Sequence, residues 1–69
     1  MKISARNQIK GNVVEVKEGI TTAKVKVDIG AGNFITSIIS VDALNDLEIK
    51  VGSEVTTITK STSVMLAIE

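Results

Sequence analysis

Ala23, Val25, Val27 and Ile29 alternate with Lys24, Lys26 and Asp28, and this short run constrains the chain more than any other feature. Successive side chains of a strand point to opposite faces, so a strict two-residue period puts all four apolar groups on one side of a sheet. Turn-forming stretches bound the run: Lys17-Glu18-Gly19 before it and Gly30-Ala31-Gly32-Asn33 after it. Gly19 is expected to supply the positive φ that a tight hairpin turn often needs. A strand held between two such turns implies antiparallel neighbours.

Those neighbours are legible. Residues 9–16 read as a first strand, with Ile9, Gly11 and Val13 on one face and Val14 and Val16 on the other. Residues 34–41 read as a third, rich in β-branched side chains, with adjacent Ile38 and Ile39 placing apolar groups on both faces. Ser40 is placed to cap a short helix over residues 41–47, with Asp42 in its first turn and Leu44 and Leu47 toward the core. A helix this short depends on packing. After a turn at Val51-Gly52-Ser53-Glu54, residues 55–59 predict a Thr-rich fourth strand. Residues 63–68 predict a fifth, with Val64, Leu66 and Ile68 opposing Met65 and Ala67. The chain contains no proline, and no linker interrupts it. The expected fold is therefore all-β: a single domain over residues 1–69, built as a five-stranded OB-like Greek-key barrel with one short helix between strands three and four.

A chain of 69 residues has little surface to bury. Disulfides and the usual zinc ligand sets are excluded, because there is no Cys and no His. Self-association is left as the source of extra burial. The pairs Val13/Val14, Ile38/Ile39 and Met65/Leu66 agree, since a second apolar face on several strands calls for a covering copy of the chain. No basic apolar leader and no long apolar run is present, so a cytoplasmic protein without a membrane partner is expected. Eight basic and eight acidic residues cancel, and Phe34 is the single aromatic. Nucleic-acid binding needs a basic excess or stacking platforms, and neither is there. Without His, Cys or Tyr, the chain lacks the usual acids, bases and nucleophiles near neutral pH, and no enzyme is expected.

Two short clusters carry the remaining chemistry. Ser4-Ala5-Arg6-Asn7-Gln8 sets a hydroxyl, a guanidinium and two amides in front of the first strand, and Lys60-Ser61-Thr62-Ser63 sets an ammonium and three hydroxyls after the fourth. Both are rich in N–H and O–H donors and hold no carboxylate. Brought together, they would suit a small oxyanion, with charge-assisted bonds from Arg6 and Lys60. Asn7 and Gln8 are expected to bond backbone where the first strand begins. Lys24, Lys26 and Asp28 form a mixed-sign solvated face. Asp42, Asp46 and Glu48 match no calcium loop.

The opening Met1-Lys2-Ile3-Ser4-Ala5-Arg6-Asn7-Gln8-Ile9-Lys10-Gly11, the segment Ile35-Thr36-Ser37-Ile38-Ile39-Ser40 and the late Lys60-Ser61-Thr62 resemble the molbindins, small molybdate- and tungstate-binding proteins of the Mop-domain type. The likeness runs over essentially the whole chain. It implies an OB-like barrel assembled as a homohexamer, a trimer of dimers, with oxyanions held between subunits for storage and molybdenum homeostasis. It implies that Ser4, Ala5, Arg6, Lys60 and Ser61 form one class of site. A second class belongs with the family, and the Gly19-Ile20 hairpin tip is its candidate here, because a glycine turn can aim consecutive N–H groups at an anion. The ligand is molybdate or tungstate itself, with no free metal cation. Both are proton-free tetrahedral dianions at neutral pH, so a donor-only site fits them, whereas a protonated phosphate asks for one acceptor. The alternatives are a nucleic-acid-binding OB domain and a module that reports molybdate to a partner. Met1 directly before the motif favours a free-standing protein.

Overall fold

The computed structural model describes residues 2–69; Met1, the first residue of the opening motif, lies outside the described residues. The chain runs β1 (Asn7–Glu18), β2 (Thr22–Gly30), β3 (Asn33–Ser40), α1 (Val41–Asp46) and β4 (Glu54–Thr59), followed by a single 3-10 turn, Ser61–Ser63. All four strands join one antiparallel sheet in the order β3-β2-β1-β4. β3 and β4 are its opposite edges, yet side chains from both line one groove of about 330 Å³. The sheet is therefore strongly curled, a barrel wall with an open seam.

The expected all-β fold with one short helix is present, but the number of strands is four and not five. Residues 63–68 do not form a strand. Ser63 closes the 3-10 turn, and the residues beyond it have no sheet partner. Alternating apolar residues report surfaces that want burial, and they do not say which chain provides the neighbour. Met65, Leu66 and Ile68 are 92%, 94% and 97% exposed.

β1 differs from its expected face pattern for a local reason. Val13 pairs with Val27, but the next pair is Glu15 with Lys26, so Val14 is an extra residue, a β-bulge. The bulge reverses the alternation and returns Val16 to the inner face opposite Val25, where it packs against the core. That core consists of Val13, Ala23, Val25, Val27 and Leu44, with Ile29, Ile39, Ile49 and Val55 packed around it. The two-residue period of β2 thus holds through its centre: Ala23, Val25 and Val27 are buried, while Ile29 is half-buried beside the second turn.

The turns also hold surprises. Gly19 does not take left-handed backbone; its N–H donates to Thr22 O at 2.8 Å, and a Cβ there would stand 3.0 Å from that oxygen. Close approach, not positive φ, is what asks for glycine here. At the β2–β3 turn the Asp28 carboxylate accepts from Gly30 N–H at 2.8 Å, and Ala31 sits at φ 55°.

Ser40 caps α1 as expected, its hydroxyl accepting from Ala43 N–H at 3.0 Å. Leu44 enters the core, but Leu47 is 67% exposed and does not. The helix ends at Asp46 in a Schellman arrangement: Ile49 N–H donates to Leu44 O at 3.1 Å and Glu48 N–H to Asn45 O at 3.0 Å. Glu48 takes the left-handed position at φ 53°, which swings the chain away and leaves Leu47 at the rim of the open groove.

Candidate functional site

The β1–β4 register decides where the two donor clusters go. Asn7 pairs with Thr59 as the last rung of the ladder. In an antiparallel pair, the residues just before one strand then meet those just after the other, so residues 4–6 and 60–62 emerge at the same end of the sheet. There they line one shallow concavity of about 430 Å³: Ile3, Ser4, Ala5 and Arg6 on one side, and Ile58, Lys60, Ser61 and Thr62 on the other.

All five residues of the main candidate set are in this concavity. Its lining offers the guanidinium, the ammonium and three hydroxyls, with no carboxylate among the lining residues. Ala5 is half-buried and supplies backbone, whereas Ser4, Arg6, Lys60 and Ser61 are exposed. Gln8 Nε2 donates to Ala5 O at 2.8 Å, which fixes the bend ahead of β1 and matches the backbone-bonding role expected of it. Thr57 Oγ1 donates to Ile9 O at 3.0 Å and ties β4 to β1 directly behind the site.

Ile3 and Ile58 were not singled out from the sequence. They add an apolar rim, and the signal that locates them is the register rather than their chemistry: Ile58 lies opposite Gln8, one rung from the end. Gly19 and Ile20 sit at the tip of the β1–β2 hairpin and do not line this concavity. The Gly19 N–H is already committed to Thr22 O, while Ile20 is 97% exposed. On the outer face of β2, Lys26 Nζ lies 4.6 Å from the centre of the Phe34 ring, a cation–π contact that accounts for that lysine without an anion. Among the described residues, no group of three or more carboxylates is placed to hold a metal ion. No helix is long and apolar enough to cross a membrane among the described residues.

Comparison with known proteins agrees with this architecture. The TOBE domain model matches residues 3–66. Molybdenum-pterin-binding protein 3 of Clostridium pasteurianum is 54% identical over 66 residues, which cover 96% of this chain and 97% of that protein. Among solved structures, MopII of Clostridium pasteurianum superposes with a TM-score of 0.91 at 52% identity, covering 97% of this chain and 100% of that one. A molybdate-binding protein from Sporomusa ovata gives the same TM-score at 32% identity, covering 99% and 100%. The cytoplasmic molybdate-binding protein ModG, with molybdate bound, matches at a TM-score of 0.82 and 32% identity, covering 96% of this chain and 53% of that one. By its domain model, its sequence over nearly all of its length and its fold, this chain belongs to the molbindin (Mop) family of TOBE-domain proteins.

Proposed function

We propose that this protein binds molybdate, and tungstate with it, at sites completed between subunits of a homo-oligomer, and that it stores the oxyanion in the cytoplasm. The observation that carries this reading is the donor-only concavity that unites Ser4, Ala5 and Arg6 with Lys60 and Ser61. A proton-free dianion accepts hydrogen bonds and offers none. A lining with Arg6 and Lys60 and no carboxylate suits it, and the bonds from those two cations are the strong, charge-assisted kind. The relatives' binding of molybdate, and ModG's place in the cytoplasm, support the same choice of ligand and compartment.

Burial argues for the intersubunit placement. Ser4, Arg6, Lys60 and Ser61 face water in the single chain. At a surface, Coulomb attraction is several-fold weaker than in a partly excluded site, so an open concavity of this kind holds an anion poorly. Covering it with a second subunit removes that weakness. The apolar rim of Ile3 and Ile58 and the open seam between β3 and β4 are surfaces that such a covering would bury. The family resemblance supports a hexamer, a trimer of dimers, as that assembly.

Isothermal titration with molybdate and tungstate, with sulfate and phosphate as controls and light scattering alongside, tests the reading. Saturable binding by an oligomer, with little response to sulfate, is the expected result. Normal binding by a monomeric protein would exclude intersubunit sites, and no binding of any oxyanion would remove the function.

A further inference from the structure

The two halves of the concavity are held by different means. On the β4 side the backbone closes its own turn: Ser63 N–H donates to Lys60 O at 2.9 Å, across Ser61 and Thr62. On the β1 side there is no such closure. Among the described residues, the backbone of Ser4, Ala5 and Arg6 makes no hydrogen bond to another backbone group outside the sheet ladder. Its tether is a side chain, the Gln8 Nε2 that donates to Ala5 O at 2.8 Å. Gln8 is the second residue of β1 and pairs with Ile58, so its own backbone is anchored to the sheet while its carboxamide reaches back three residues. The carboxamide does not line the concavity. Its orientation follows from chemistry, since a carbonyl oxygen only accepts and the nitrogen must face it.

A peptide unit is planar, and in the trans form its C=O and N–H point opposite ways. A bond that holds Ala5 O therefore also sets the direction of the Arg6 N–H, and with it the backbone from which the guanidinium starts. Ser4 and Arg6, on either side of Ala5, are exposed. Donors left to wander at a surface must be ordered when a ligand arrives, and that ordering subtracts from affinity. A tether made in advance removes part of the cost.

We propose that Gln8 is a positioning residue of the oxyanion site: without touching the ligand, it holds the Ala5–Arg6 peptide so that the donors of residues 4–6 stand already aimed. The inference rests on the concavity being the molybdate site. It also explains the residue type. The tether must donate to a carbonyl and must carry no negative charge beside a dianion, and glutamine meets both demands at this length. The carboxyl of Gln8→Glu reverses both when ionised and restores the donor when protonated. A bound dianion disfavours the ionised form and moves its titration upward. The charged groups around this position are Arg6 and Lys60 of the concavity and Lys10 two residues along β1. All three remain cations between about pH 5 and about pH 8, so the carboxyl alone titrates there.

The test titrates the full chain, Gln8→Met and Gln8→Glu with molybdate at a series of pH values, each variant compared with the unaltered protein at the same pH. Gln8→Met keeps the length and loses the donor; its affinity should fall about three- to tenfold, the worth of one hydrogen bond, by the same factor at every pH. Gln8→Glu should lose more at about pH 8, and its deficit should narrow toward about pH 5 as the carboxyl takes up its proton. The urea midpoints should stay in place, because Gln8 is exposed. A purely structural role would move the midpoints and give no such pH profile. In the unaltered protein, molybdate should also shift the nuclear magnetic resonance signals of the Gln8 side-chain amide, and sulfate should leave them in place. Unchanged affinity in Gln8→Met, or a Gln8→Glu deficit that does not narrow with falling pH, overturns the positioning role and leaves the functional reading standing. Absence of molybdate binding by the unaltered protein overturns both. Should the variants fail to fold, the Gln8 amide signals decide alone, and signals that molybdate does not move overturn the inference.

Discussion

At the scale of single residues, Arg6 and Lys60 approach each other only because Asn7 and Thr59 share a ladder rung. Each is an exposed side chain, so removing either leaves no buried group unsatisfied. Arg6→Ala and Lys60→Ala should each weaken molybdate binding by roughly tenfold or more, the worth of a hydrogen bond to a charged group. The urea midpoint of unfolding should stay where it was, which titration and denaturation together would establish. Gly11 answers to packing instead. A Cβ there would lie 2.6 Å from both Asp28 O and Val27 Cγ1. Gly11→Ala must push β1 off β2 and should destabilise the fold by about 1–3 kcal/mol in urea, with binding lost only as the chain unfolds.

At the scale of elements, the helix shows what can be read from sequence and what cannot. Its start was legible, because Ser40 is a capping residue followed by Asp42 in the first turn. Ser40→Ala should cost about 1 kcal/mol. Its end was not, because the left-handed position after the helix is held by Glu48, where glycine is the usual signal. Glu48→Gly should relieve left-handed strain and raise stability by up to about 1 kcal/mol, measurable as a higher midpoint in thermal unfolding. The same blindness misplaced Leu47 in the core. β2 was read well because its alternation is regular. β1 was read well only as far as Val13, since a bulge at Val14 leaves no mark in composition. The candidate site was legible as two donor clusters; their union was not, because it depends on a strand register that local sequence does not encode. Ile3 and Ile58 are visible only once that register is known.

At the scale of the whole molecule, the mis-assigned fifth strand is the informative one. Its alternation marks an apolar segment but not a strand, and the single chain leaves that segment in solvent. Burying one Leu, Ile or Met side chain is worth roughly 1.5–3 kcal/mol, and Met65, Leu66 and Ile68 are all available for it. Leu66→Asp combined with Ile68→Asp should therefore lower the mass of the assembly in light scattering while the four-stranded sheet persists by circular dichroism. The open seam has a consequence in time as well as in space. If subunits close the seam for one another, as proposed, assembly finishes in a second-order step, at a rate that rises with the square of the concentration of free chains. At low synthesis rates each new chain spends longer with two bare sheet edges and an apolar end, the state in which proteases and unwanted strand pairing act. On the proposed assembly, the protein's survival in a cell depends on how quickly it meets itself.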